Sequence, residues 1–315
     1  MILAVASGKG GTGKTTVSSA LVSVWNRPRI ACDLDVEEPN LHLFLRPEIT
    51  GTEKAGLAVP EIDESKCSKC GKCSDLCQFK AISLMGELLL TFPEMCHGCG
   101  GCMAICPEQA IGKGFRELGD TVWGQAGESA FLMGRLRVGE AMSPPLMRIV
   151  KEKLKEITAQ MSREQGDGDS VSSVIPDVII DAPPGVSCPA LNAVSDSDFI
   201  LLVTEPTPFG VYDLELAHEA FLPLHKPMGV VINRAGLGDN AVYEFCADKE
   251  LQIMAEIPYD RGIAENYASG RIISDISPEM HRLFSGLAGK IRTACSHKTM
   301  DNLYIRAAIK GGNRV

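Results

Sequence analysis

Two rhythms of apolar and polar positions alternate along this chain. Short apolar runs recur at Ile2, Leu3, Ala4, Val5, Ala6; at Ile30, Ala31, Cys32 leading into Asp33, Leu34, Asp35; and at Val178, Ile179, Ile180, Asp181. Others follow at residues 199–204, at Val230, Val231, Ile232, Asn233, Arg234, and at Ile257, Pro258, Tyr259, Asp260. Runs this short, with little alternation, read as strands buried on both faces. Residues 15–25, 211–221 and 278–292 read as helices, as do residues 145–161, where Leu146, Ile149, Val150, Leu154 and Ile157 fall at helical spacing. Strand and helix alternating in this way predict an α/β fold, a doubly wound, mostly parallel sheet with helices on both faces. In such a sheet ligands bind at the carboxyl ends of the strands.

Some stretches break the rhythm. Residues 53–64, with Gly56 and Pro60, read as a loop. Residues 121–139 are glycine-spaced and read as a returning hairpin, and residues 165–173 as a flexible Gly/Asp/Ser loop. The tail from Thr299 carries Leu303, Tyr304, Ile305 and Ile309 with Arg306 and Lys310. It reads as docked or frayed, with a membrane-targeting helix as the alternative.

Composition narrows the classes. The chain has 315 residues, enough for one large domain with an insertion or for two domains. Its net charge of −9 argues against a broad nucleic-acid surface. No apolar run approaches the ~18–20 residues of a membrane span, and the first strand begins at once. The expected compartment is the cytoplasm. Eight of the twelve cysteines fall between Cys67 and Cys106 in two matching groups. In a cytoplasmic protein such grouping points to metal and not to disulfides.

The chemistry begins at Gly8, Lys9, Gly10, Gly11, Thr12, Gly13, Lys14, Thr15 and Thr16, between the first strand and the first helix. Gly8, Gly13, Lys14 and Thr15 fit the G-x-x-x-x-G-K-[ST] pattern. Glycines let successive backbone N–H groups curl around phosphate oxygens, and the helix N-terminus adds positive potential. Lys14 can reach β- and γ-phosphates, and the Thr15 hydroxyl can bind Mg²⁺.

The second lysine, Lys9, makes this loop resemble the deviant Walker A of the MinD/ParA/Mrp-superfamily ATPases, which include the nitrogenase iron protein. The resemblance implies ATP as ligand and a nucleotide-sandwich homodimer, or a heterodimer with a related ATPase, in which Lys9 reaches the partner's phosphates. It also implies that Asp35 touches the Mg²⁺ shell and the attacking water, with Asp33 supporting it. Asp181, in a Walker B-like strand followed by Ala182, Pro183, Pro184 and Gly185, is implied to hold Mg²⁺ through water. Asn233 is implied to bond the adenine edge, and the backbone at Pro258 to line the base.

The cysteine groups are Cys67-x2-Cys70-x2-Cys73-x3-Cys77 and Cys96-x2-Cys99-x2-Cys102-x3-Cys106-Pro107. The duplication resembles bacterial two-cluster ferredoxins. It implies that Cys67, Cys70, Cys73 and Cys106 hold one [4Fe-4S] cluster, and that Cys96, Cys99, Cys102 and Cys77 hold the other. Cys₄ zinc sites are the alternative. The ferredoxin-like unit is expected at residues 62–115, inserted in an ATPase domain of residues 1–61 and 116–315. Cys188, just after the Walker B-like strand, is either a buried free thiol or a ligand of a further cluster.

The functional expectation is an ATPase that couples a nucleotide-driven dimer cycle to electron transfer with an unidentified redox partner protein. The alternatives are an Mrp-like iron–sulfur carrier or scaffold, and a positioning ATPase with a redox-sensing insert.

Overall fold

A computed structural model describes residues 1–164 and 174–311, with residues 164 and 297–311 by their backbone alone. The expected flexible loop at 165–173 and the side chains of the expected tail lie outside the described residues.

The strands are β1 (Ile2–Ala6), β2 (Arg29–Asp33), β3 (Glu48–Ile62), β4 (Ile82–Met85), β5 (Leu88–Thr91), β6 (Ile111–Ala126), β7 (Ser129–Leu136), β8 (Asp177–Asp181), β9 (Phe199–Thr204), β10 (Met228–Ala235) and β11 (Gln252–Pro258). The helices are α1 (Lys14–Val24), α2 (Leu41–Leu45), α3 (Lys72–Leu76), α4 (Gly101–Ile105), α5 (Ser143–Glu164), α6 (Cys188–Val194), α7 (Pro208–Phe221), α8 (Ala241–Asp248), α9 (Arg261–Ala268) and α10 (Pro278–Gly311). Nine strands form one sheet in the order β11-β10-β9-β1-β8-β2-β7-β6-β3. From β11 to β7 every neighbour is parallel; β6 is antiparallel to both β7 and β3.

Alternate residues of the central strands feed two apolar layers. Ala4, Ile30 and Cys32 face one layer with Leu146, Val150, Leu214 and Phe221. Leu3, Val5 and Ala31 face the other with Val17, Leu21, Phe284 and Ile291. Burial on both faces is what the unbroken apolar runs predicted. No helix among the described residues is long and apolar enough to cross a membrane.

One expectation fails. Residues 53–62 are not a loop but the outer half of β3, paired with β6 from Glu48 opposite Gln125 to Ile62 opposite Ile111. Ala55, Leu57 and Val59 are buried in strict alternation, a period-two signal that Gly56 and Pro60 obscured. Both exceptions have a cause. Pro60 sits on an edge strand, where proline is tolerated. At Gly56 a Cβ would collide with the Phe115 ring, which lies across the backbone there.

The register gives this ribbon its meaning. Leu136, the last residue of β7, pairs with Gly119 of β6, which faces Ala55 of β3. Past that level β3 and β6 continue alone. Residues 55–62 project roughly 20 Å beyond the sheet at ~3.3 Å per residue. Because β3 runs in the same direction as β2 and β7, the projection leaves from the carboxyl edge. The cysteine-bearing segment between Ile62 and Ile111 sits on its end.

Candidate functional site

The tips of β1, β2, β8 and β10 converge on the segment between β1 and α1. Two glycines there are required by space. At Gly8 a Cβ would run into the backbone of Asp213 on α7. Gly13 has φ 99° and lies against the Asn233 amide, so a side chain would be both strained and blocked.

Behind the loop stands a buried polar cluster. Thr15 Oγ1 donates to Asp181 Oδ2 at 2.7 Å, and Ser18 Oγ donates to Asp181 Oδ1 at 3.0 Å. Ser18 went unnoticed in the sequence, although it lies one helical turn after Thr15 on the same face. Asp33 is fully buried and accepts the backbone N–H groups of Asp35 and Leu41, each at 3.0 Å. It therefore braces the segment that carries Asp35, which lies past the end of β2. Burial raises the pKa of Asp181 against the pull of the Thr15 hydroxyl and Lys14, and raises Asp33 well above the carboxylate range, with Asp181 adding to the effect. Asp35 is pushed up to about 6, mainly by burial and then by Asp181. Burial lowers Lys14, which the three carboxylates oppose. Three acids around one buried lysine leave negative charge uncompensated, and a Thr hydroxyl beside carboxylates is an oxygen donor set suited to a hard divalent cation.

A single cleft opens over these groups. It is lined by the loop glycines, Lys14, Thr15, Asp35, Asn233 and Pro258, with Tyr259, Ile263 and Tyr267 on the apolar side. Phosphate-loop residues and the two residues expected at the base thus share one cavity. Asn233 Nδ2 donates to Thr12 O at 2.8 Å, and its Oδ1 accepts the Arg234 N–H at 2.9 Å, so both ends of the amide are engaged by the chain itself.

Lys9 is held within its own chain. Its Nζ lies 3.0 Å from Glu205 Oε1 and 3.5 Å from Asp213 Oδ2, and Glu205 also binds Arg234 at 2.7 Å. Glu205 carried no signal in the sequence. It lies one residue past the end of β9, whereas Asp181 is the last residue of β8. Cys188 is exposed and opens α6; it is not a buried thiol.

In the projecting segment, Cys67, Cys70, Cys73 and Cys106 line one cavity, with Leu89 and Ile111. Cys77 packs with Cys96, Val59 and Ala81. Positive φ at Lys69, Gly71, Gly98 and Gly100 curls both thiol loops. Backbone N–H groups already point at sulfur: Gly98 to Cys96 Sγ at 3.4 Å and Ala110 to Cys106 Sγ at 3.3 Å. Among the described residues, no three His, Cys, Asp or Glu side chains come together as a site for a metal ion.

Comparison with known proteins bears on the cleft and not on the thiols. The family model for the CobQ/CobB/MinD/ParA nucleotide binding domain matches residues 3–273. Two relatives are uncharacterized proteins of Methanocaldococcus jannaschii. MJ0578 is 30% identical, over 93% of this chain and 96% of its own length; MJ0579 is 29% identical, over 86% and 90%. The cell division ATPase MinD of Pyrococcus furiosus has a similar structure, with a TM-score of 0.54, 22% identity, and coverage of 93% of this chain and 98% of that one. The septum site-determining protein MinD of Pyrococcus horikoshii, solved with Mg-ADP, gives a TM-score of 0.53 at 20% identity, covering 92% and 95%. At these identities the structural likeness speaks for the fold alone.

Proposed function

Since the chain belongs to the CobQ/CobB/MinD/ParA nucleotide-binding family, we propose that it is an ATP-hydrolysing iron–sulfur protein whose nucleotide cycle governs electron transfer. One observation carries this reading: the phosphate-loop cleft and the cysteine segment rise from the same edge of one sheet, joined by the β3–β6 ribbon.

In the cleft, Lys14 and the N–H groups of residues 10–15 bind the phosphates of ATP. Thr15 and Asp181 hold Mg²⁺, the latter through water, and Asp35 orients the attacking water. Asn233 and the backbone at Pro258 meet the base, which requires Asn233 to exchange its present partners. Lys9 leaves Glu205 and Asp213 to reach a partner's phosphates in a nucleotide-dependent dimer. The partner is a second copy or a related chain.

Residues 62–115 are the cluster-bearing insert. Cys67, Cys70, Cys73 and Cys106 hold one [4Fe-4S] cluster, and Cys77, Cys96, Cys99 and Cys102 the other. The shared cavity of the first four thiols and the N–H···S bonds support this set. The clusters supply one-electron storage when bound.

The test is anaerobic: ATPase rate and cluster reduction followed on one sample, with and without ATP. Coupling predicts that ATP changes the reduction and that reduced protein turns over at a different rate. Identical behaviour in all four states would defeat it. A cluster-carrier role is the second reading, favoured by the exposure of Cys70 and Cys99. Transfer of iron and sulfide to an apo-ferredoxin would decide for it.

A further inference from the structure

The two cysteine groups stand at different heights on the ribbon. The first group's cavity includes Ile111, which pairs with Ile62 at the far end. The second thiol loop begins nearer the foot, although its Cys102 packs with Cys73 and Ile111 farther out. Cys96 packs on Val59, and Gly98 lies so close to Leu57 that a Cβ there would overlap its side chain.

Opposite Leu57 in the ladder is Arg116. Directly opposed residues share a face of an antiparallel pair, so Arg116 stands on the face that carries the second thiol loop. It is 7% exposed, and its Nη1 reaches the Glu94 carbonyl at 3.4 Å, two residues before Cys96. The same nitrogen lies 3.1 Å from Glu140 Oε2. Its Nε and Nη2 have no hydrogen-bond partner among the described residues.

Glu140 belongs to the other side of this junction. Its Oε1 accepts the N–H groups of Ala141 and Met142 at 3.1 and 3.0 Å, which fixes the approach to α5. That loop is stitched to the segment after Asp35. Leu136 N donates to Val36 O at 2.9 Å, and Ser143 Oγ donates to Glu37 Oε1 at 2.9 Å. Polar contacts and the short backbone between them thus connect Val36 and Glu37, through residues 136–143, to Arg116 and the Glu94 carbonyl.

We propose that Arg116 is a positioning residue that makes the second cysteine group, Cys77, Cys96, Cys99 and Cys102, respond to the nucleotide at Asp35, while the first group does not. This rests on the function proposed above. A reduced cluster carries one more negative charge than an oxidised one. A buried guanidinium with two unpaired N–H groups favours the reduced form, by an amount that depends on its placement in a low-dielectric setting. A nucleotide that shifts residues 35–37 moves the Glu140 anchor, and with it the charge. The first group's cavity is farther from Arg116 along the ribbon, at the level of Ile62 and Ile111.

The experiment uses the full chain, reconstituted with iron and sulfide without oxygen. Midpoint potentials are followed by EPR in mediated dithionite titrations, with no nucleotide, with MgADP and with a non-hydrolysable MgATP analogue. In the unaltered protein one of two potentials is expected to move with nucleotide. It should still move in Cys70→Ser, which alters only the first group. In Arg116→Met the nucleotide-free potential should fall, by about tenfold in the reduction equilibrium, and the nucleotide response should vanish. Iron content and nucleotide affinity should be retained. Arg116→Lys should restore part of the nucleotide-free potential. A response in Arg116→Met equal to that of the unaltered protein, or one confined to the first group, overturns the proposal and leaves the function intact. No response in the unaltered protein removes both. If Arg116→Met loses iron, Glu140→Gln decides: loss of response with iron retained supports the proposal, and a full response overturns it.

Discussion

At the phosphate loop, the polar groups are braced by the body of the protein. Asp181, Asp33 and Ser18 are buried and bonded to one another's neighbours, and two apolar layers close over the strands that carry them. In the cysteine segment the apolar clusters are small, and cysteines are themselves members of them: Cys96 with Val59 and Ala81, Cys73 with Ile82 and Ile111. Leu76, Phe79, Met85, Leu88 and Met95 are exposed there. One site is preorganised by a sheet that exists without any ligand. The other has only small apolar clusters, so the proposed iron–sulfur clusters would supply much of what holds it, as in small metal-dependent units.

The most severe way to test that contrast is to remove the metal. Anaerobic chelation of iron should drop amide protection across residues 63–110 to nearly that of an unfolded chain, while β1 and β8 keep theirs, as hydrogen exchange would record. Equal protection in the segment with and without iron would refute the contrast. Next comes Lys14→Ala, which should weaken nucleotide binding by about 100-fold through loss of charge-assisted phosphate bonds. Iron should stay at about eight per chain; a fall in both would mean that the regions do not hold independently.

A smaller effect comes from pH. The role proposed for Asp35 beside the Mg²⁺ and its water requires the ionised carboxylate, and its pKa is raised to about 6. A proton competes for the carboxylate below that value, so Mg-nucleotide affinity should fall as pH drops from 7 to 5, by at most about tenfold per pH unit. Asp35→Asn should flatten the profile, and iron content should not follow it. The least effect is expected from Glu205→Gln. Lys9 is partly exposed, so its ion pair contributes about 1 kcal/mol or less. Freeing it should tighten nucleotide-dependent dimerisation by about fivefold at most, measured by sedimentation.

The loop from Gly8 to Thr16 was readable from residue types alone because phosphate binding needs backbone N–H groups in one continuous turn, and glycine spacing encodes that turn locally. The thiol spacings were readable for the same reason. The outer half of β3 was misread because Gly56 and Pro60 are ordinary turn signals, and only the Phe115 ring and the edge position give them another use. Glu205, Asp213 and Arg116 carried no local pattern at all.

The sequence by itself determined the α/β class, the phosphate loop, the strand-tip acids and the two thiol groups, since each depends on neighbours within a few residues. Only the tertiary structure decided that the ribbon leaves from the nucleotide edge, that Lys9 rests on Glu205, and that Arg116 joins Glu140 to the second thiol loop. Those facts follow from strand order and register, which bring together residues far apart in the chain, and no short-range pattern records such pairings.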